Sequence, residues 1–369
     1  MPFSFDHEEC NMLVFTNRLL KTTARDESAL TTQYDPFSDT LNSVKVTAGA
    51  KGWKISNPQE GLSDVDALAQ LSAVLDGNKP VLLFVHGNNN TPAACFARCR
   101  LLEAQYPVSV IGFSWTSEGF LSDGTELPGP KEPPGAFDDP DDNLAAVDTK
   151  DSLTVGWIAR MAQRYAQAKV NAQHSKDSFA RLLRLIAAAR LAGMNQKVSL
   201  AAHSLGAHLL HYTIDEQDAE ASLSAMHNVV LIAGCSGAAK HSAWVGQIHP
   251  LLRVYITYTK ADSVLFAATL VDGDVKVGTD PGRDRLPGPK FRYVDFEATK
   301  IKLGAHSYFV ADPGKRLSKQ SRLLFSRIFA SEVDFTGGIA QRNDVYPMGC
   351  SDDDSVCYMG NASLKKDRR

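Results

Sequence analysis

The chain has 369 residues, 44% hydrophobic and 22% charged, which is ordinary globular usage and unlike a disordered, collagenous or disulfide-dense composition. A formal net charge of −3 argues against a nucleic-acid partner, since phosphate binding needs clustered Lys and Arg. The one basic run, KKDRR at the C-terminus, reads as a solvated tail. No apolar stretch approaches the ~18 residues of a membrane span. The opening MPFSFDHEECNMLVF lacks the basic-then-apolar layout of a secretory signal. The expectation is a cytoplasmic protein without a transmembrane segment, with signal-independent export left open.

In chain order, MLVFTNRLL (Met12 to Leu20) is apolar and extended, and VKVTAGAKGWKIS (Val44 to Ser56) alternates and carries glycines, as an edge hairpin does. PVLLFVHG (Pro80 to Gly87) is a continuous apolar run, the pattern of a strand buried on both faces of a parallel sheet. TPAACFARCRLLEAQY has helical spacing with Thr91 as N-cap and Pro92 at the first helical position. VSVIGFSW (Val108 to Trp115) is the next buried strand. From Thr116 to Asp148 the pattern breaks, and LPGPKEPPGAFDDPDDN is too rich in Pro, Gly and acid for a regular core element.

Two helical patterns follow, AAVDTKDSLTVGWIARMAQRYAQA and SFARLLRLIAAARLAG, the second stopping at Gly193. Then come KVSLAAH as a strand, SLGAHLLHYTIDEQDAE as a helix, and three strands, NVVLIAGC, LRVYITYT and FRYVDFEA. Alternating strands and helices define an α/β fold: a mostly parallel central sheet of about eight strands, covered by helices on both faces. Cys95 and Cys99, one turn apart, suit buried structural roles better than a zinc site. Cys350 and Cys357 flank an acidic segment and can pair if oxidised.

In such a sheet, ligands bind beyond the carboxyl ends of the strands, where Ala202-His203-Ser204-Leu205-Gly206 joins a strand directly to a helix. A sharp strand-to-helix turn exposes its central hydroxyl and needs small residues two positions away on either side, as Ala202 and Gly206 are. The helix N-terminus behind it favours an oxyanion. Small-x-Ser-x-Gly is a weak motif alone, and a capping serine is the structural alternative; its placement at this junction gives it weight.

A nucleophilic serine needs a base and an orienting acid. His203 and His208 are too close along the turn, and His86 reads as a brace for the loop after its strand. His306, in LGAHSYF, follows the last strand candidate and is the expected base. Asp262, just past LRVYITYT, is the expected acid, with helix capping its alternative role and Asp295 its mid-strand competitor. The order Ser204, Asp262, His306 is the one such a sheet requires. The oxyanion donors expected are the backbone N–H groups of Leu205 and Asn88, with Gly87 and the asparagine run permitting the necessary turn.

FVHGN, AHSLG, KAD and GAHSYF together resemble the α/β-hydrolase superfamily, and VFTNR and GFSWTS resemble a poorly characterised esterase/lipase-like branch of it. The resemblance spans most of residues 10 to 310. It implies an eight-stranded sheet, a covalent acyl-enzyme and no cofactor or metal. Ala202 replaces the commoner elbow glycine, and asparagines replace glycines in the oxyanion loop. The implied organisation is one domain over 1–335, with 116–190 as an insertion or cap with its helices, 271–290 as a second, hairpin-like insertion, and 336–369 as an irregular tail.

Trp115 fits either a pocket wall or the core. The acidic DDPDDN segment reads as a solvated loop rather than a calcium site. The activity expected is cleavage of a small-molecule or lipid carboxylic ester. An amidase or thioesterase shares the triad, and a catalytically silent binding module is the alternative from another class.

Overall fold

A computed structural model of the chain describes residues 12–49, 52–127, 155–296, 306–312, 315–332, 348–350 and 356–359. Among the described residues there are thirteen strands: β1 (Met12–Thr16), β2 (Arg18–Leu20), β3 (Leu30–Tyr34), β4 (Asn42–Gly49), β5 (Gly52–Gln59), β6 (Val81–Val85), β7 (Ser109–Ser114), β8 (Val198–His203), β9 (Asn228–Ile232), β10 (Arg253–Tyr258), β11 (Phe291–Asp295), β12 (Met348–Cys350) and β13 (Val356–Met359). Eleven form one sheet in the order β12-β13-β11-β10-β9-β8-β6-β7-β1-β4-β5, while β2 and β3 pair separately.

From β13 to β1 every neighbouring pair is parallel. The two outer pairs, β12 with β13 and β4 with β5, are antiparallel, as is β4 with β1. The parallel core matches the expected eight strands, and the edge hairpin expected at Val44 to Ser56 is β4–β5. One of the eight belongs to the tail, which was expected to be irregular: β13 pairs with β11, and Cys350 lies opposite Cys357 in the β12–β13 ladder. Strands this short carry too few residues for alternation to register.

β6, VLLFV, is buried at every position, and its continuous apolar sequence is what burial on both faces demands. The helices are α1 (Asp64–Leu75), α2 (Pro92–Gln105), α3 (Val155–His174), α4 (Lys176–Leu191), α5 (Gly206–Ile214), α6 (Ala219–Leu223), α7 (His241–Val245), α8 (Ser263–Asp272) and α9 (Lys319–Phe329).

The two faces of β7 show how the layers divide. Gly112 faces α2, where an added Cβ would lie 3.0 Å from Cys99 Sγ. Phe113 faces α4, its ring 4.9 Å from that of Phe179. α2 and α9 share one layer through the edge-to-face pair Tyr106–Phe329, at 5.0 Å. α1, α4 and α5 pack together in the other. α4 is therefore a sheet-covering helix and not a cap over the site.

Thr91 caps α2 as expected, its hydroxyl accepting from Ala94 N–H, with Pro92 in the first turn. The helix expected over SLGAHLLHYTIDEQDAE is interrupted: α5 ends at Ile214, and Asp218 takes a left-handed φ of +63° before α6. The hairpin expected within 271–290 does not form; there Gly237 and Lys276 make one isolated antiparallel bridge. Gly273, at φ +70°, stops α8, and the Pro and Gly residues around the short alternating DVKV leave it only that single bridge. DDPDDN and most of the Pro-rich segment lie outside the described residues.

Candidate active site

Ser204 sits where β8 gives way to α5, with φ +53°. A left-handed non-glycine residue at a strand-to-helix junction is strained and must be held there by its surroundings. Ser204 N–H donates to Ile232 O at 2.9 Å, and Ser204 O accepts from Cys235 N–H at 3.0 Å and Ala207 N–H at 3.1 Å. The end of β9 thus pins the turn. The end of β6 passes so close that a Cβ on Gly206 would lie 2.8 Å from His86 O and 2.9 Å from Val85 O. Ala202 is fully buried.

Gly87 stands directly against the serine: a Cβ there would lie 2.6 Å from Ser204 Cβ and 3.1 Å from its Oγ. Only glycine lets the β6 loop come this near. Beyond it Asn89 adopts φ +55°, a conformation asparagine tolerates. Neither the Asn88 nor the Leu205 backbone N–H donates a hydrogen bond among the described residues, so both remain open donors beside the serine.

Asp262 ends the connection after β10 and divides its carboxylate between two tasks. Oδ1 caps α8 by accepting from Leu265 N–H at 2.9 Å. Oδ2 meets Nδ1 of His306 at 2.6 Å, in a pair 0% and 2% exposed at the side chains. The Asp262 carboxylate thus makes the helix cap and the His306 contact at once. The competitor, Asp295, ends β11 half-buried. The His306 ring lies 4.6 Å from that of His203, the residue before Ser204, which brings the imidazole to the same rim as Ser204. Ser204 Oγ makes no hydrogen bond among the described residues. In unliganded enzymes the serine–imidazole bond is often long and tightens only with substrate.

The residues after His306 are fastened by side chains. Tyr308 OH joins Thr257 Oγ1 at 2.8 Å and accepts from Ala233 N–H at 3.2 Å; burial raises its pKa and keeps the phenol protonated. The Phe309 ring packs 6.1 Å from that of Phe84 and 4.9 Å from that of His203, and Tyr106 OH donates to Phe309 O. Gln105 exchanges two hydrogen bonds with the Ala311 backbone, at 2.6 and 3.0 Å.

His86 is the brace expected of it. Trp115 N–H donates to its Nε2 at 3.1 Å, and its Nδ1 contacts Gly87 O at 3.0 Å. Burial, aided by the Arg18 charge and opposed by the Gly87 bond, pushes its pKa down to about 3, so the ring is neutral at pH 7. An Nδ1–H tautomer satisfies both contacts. Trp115 is fully buried and stacked on His86 at 5.6 Å, which assigns it to the core.

The VFTNR and GFSWTS segments, given no role by the sequence, support the loop after β6. Arg18, 0% exposed, binds Glu118 Oε2 at 2.7 Å, Trp115 O at 2.6 Å and Thr31 O at 3.2 Å. Asn89 N–H donates to Ser117 O at 2.8 Å, and Asn90 N–H to Ser117 Oγ at 2.9 Å. Arg18 and Glu118 were missed as candidates. The available signal was a lone arginine inside an apolar strand run, since such a charge is buried only when paired.

Among the described residues, no group of three or more His, Cys, Asp or Glu is placed to hold a metal ion, and no helix is long and apolar enough to cross a membrane. A parallel sheet with helices on both faces, and a strained serine between strand and helix, define the α/β-hydrolase fold. The chain belongs to the family described as "Alpha/beta hydrolase of unknown function (DUF900)", which it matches over residues 66–320. No curated protein and no solved structure shows significant similarity to it.

Proposed function

We propose that the protein is a serine hydrolase that cleaves carboxylic esters through Ser204, His306 and Asp262. The observation that carries this reading is the buried 2.6 Å contact between His306 Nδ1 and Asp262 Oδ2, on the same rim as the strained Ser204. A carboxylate on Nδ1 fixes the imidazole so that Nε2 is the basic nitrogen and steadies the imidazolium once it forms. Nε2 takes the Ser204 proton as Oγ attacks the ester carbonyl carbon. The tetrahedral oxyanion is received by the open N–H groups of Asn88 and Leu205. The imidazolium then protonates the departing alcohol, and water repeats the sequence on the acyl-enzyme to release the acid. Nothing in this sequence draws on a metal or cofactor.

The test is steady-state hydrolysis of p-nitrophenyl esters of increasing chain length beside matched anilides and thioesters. Ester turnover is expected, with Ser204→Ala lowering kcat by roughly 10⁶-fold. Retained turnover in Ser204→Ala removes the nucleophile assignment. Preference for the anilide or thioester moves the substrate class while leaving the triad in place.

A further inference from the structure

A surface helix normally turns a polar face to water and an apolar stripe to the core. α8, SVLFAATLVD, does not. Leu265 and Ala268 are its buried residues, yet Phe266 is 58%, Leu270 70% and Val271 45% exposed, and Val275, just beyond the helix end, is 45% exposed. Phe266 and Leu270, four residues apart, share one face of the helix, and Val271 is exposed beside Leu270. The only side-chain hydroxyl in the middle of this sequence, that of Thr269, is turned back to Leu265 O at 2.9 Å. The outward face offers hydrocarbon and no free hydrogen-bonding group. A helix apolar on both sides is one that something covers.

We propose that this face docks on the hydrocarbon boundary of a lipid surface. The four side chains expose on the order of 400 Å², about half of the ~800 Å² per partner that a stable protein interface buries. The patch is therefore small for a permanent dimer. It is well suited to a surface that asks only for apolar area. Most charges beside it are already paired: Asp272 Oδ1 with Lys169 at 2.9 Å, Asp272 Oδ2 with Lys276, and Lys260 with Asp280 at 3.3 Å. Asp274, next to Val275 and half-buried, is the one carboxylate at the rim without an ion pair among the described residues, so docking leaves it at the water-facing edge and needs no anionic headgroup. Phe266 lies one turn from Asp262, its N–H bonded to Asp262 O at 3.1 Å, so the docking face starts one helical turn from the candidate active site. On the esterase reading, which this extension alone rests on, the substrates are esters presented by a lipid phase rather than free in water.

The experiment is flotation of the full chain with phosphatidylcholine vesicles. The wild-type protein is expected to float with them, with weak dependence on salt. The double variant Phe266→Ser, Leu270→Ser is expected to lose roughly tenfold or more in partitioning, with its melting temperature and its turnover of a short soluble ester unchanged. Ser204→Ala is expected to float like wild type, which separates docking from catalysis. The single variant Phe266→Trp reports directly: the emission of the introduced indole should shift to the blue on vesicle addition. Wild-type protein that stays in the aqueous fraction, a double variant that floats equally well, or unshifted emission from Phe266→Trp overturns the proposal. So does sedimentation showing a wild-type dimer that the double variant splits, because a second copy would then cover the face.

Discussion

Around Ser204 the restraints are mostly main-chain ones, whereas His306 is held by side chains that reach it from a distance. The elbow is pinned by Ile232 O and Cys235 N–H, and Gly87 and the end of β6 approach it more closely than any Cβ permits. The histidine segment is anchored by Tyr308, Phe309, Tyr106 and Gln105, and its ring by the Asp262 carboxylate. Main-chain packing fixes the Ser204 turn and the loop against it, and it tolerates no added atom. Side-chain anchoring fixes the His306 imidazole, and it depends on single chemical groups. Substitutions on the two sides should therefore fail differently, the first by volume and the second by charge.

The largest effect expected on the histidine side is that of Asp262→Asn. An Asn oxygen can still accept from Leu265 N–H, so α8 keeps its cap and the melting temperature should hardly move. The imidazole loses the carboxylate that sets its tautomer, and kcat should fall by roughly 10⁴-fold. Ester kinetics beside a thermal melt separates the two roles; an equal loss in both would mean that Asp262 acts only as a cap.

On the elbow side, Gly87→Ala should lower kcat by roughly 10²–10³-fold, the size of effect known for a lost oxyanion donor. The added methyl must displace either the loop or Ser204. Unchanged kcat would show that the loop does not deliver its N–H groups to the reaction.

Arg18→Met probes the support beneath that loop. It leaves Glu118 buried without its partner and should cost about 3–5 kcal/mol in urea unfolding. The double variant Arg18→Met, Glu118→Leu removes both charges and should recover most of that stability. Its kcat should stay roughly tenfold low at unchanged KM, because the Trp115 carbonyl has still lost its donor. Full recovery of kcat in the double variant would reduce the ion pair to a stability element.

The smallest effect is on acid stability. The His86 pKa lies at about 3, far below its ordinary value, chiefly through burial. The unfolded chain therefore binds this proton first as pH falls. The neutral ring's contribution is complete above about pH 6.5 and is lost progressively down to about pH 3. Denaturant midpoints should fall with pH across that window, and His86→Gln should be less stable at pH 7 but show a shallower slope. A parallel slope in the variant would place the acid sensitivity elsewhere.

The contrast between the two sides also explains what could be read in advance. The buried run before Gly87, the elbow serine with its small neighbours and the acid after β10 are local patterns, each forced by one strand and its turn. The Asp262–His306 pairing was legible through chain order, because an α/β sheet brings the ends of its strands to one rim. Arg18 was not legible as a support, because its partner Glu118 lies 100 residues away and a lone arginine in a strand does not name its counter-ion. The break before α6 depends on one left-handed Asp218, and β12 and β13 depend on pairing with β11; neither leaves periodicity in the chain. Chain order also gave no warning that α8 shows an apolar face outward, since its residues are equally those of a buried helix.

The central claim is that Ser204 is a nucleophile activated by His306. Labelling of the intact protein with a fluorophosphonate, followed by peptide mass spectrometry, tests it most directly. A single phosphonylated site at Ser204 is expected, with labelling slowed by orders of magnitude in His306→Ala. Folded protein that resists the probe, or takes it on another residue at the wild-type rate, would contradict it.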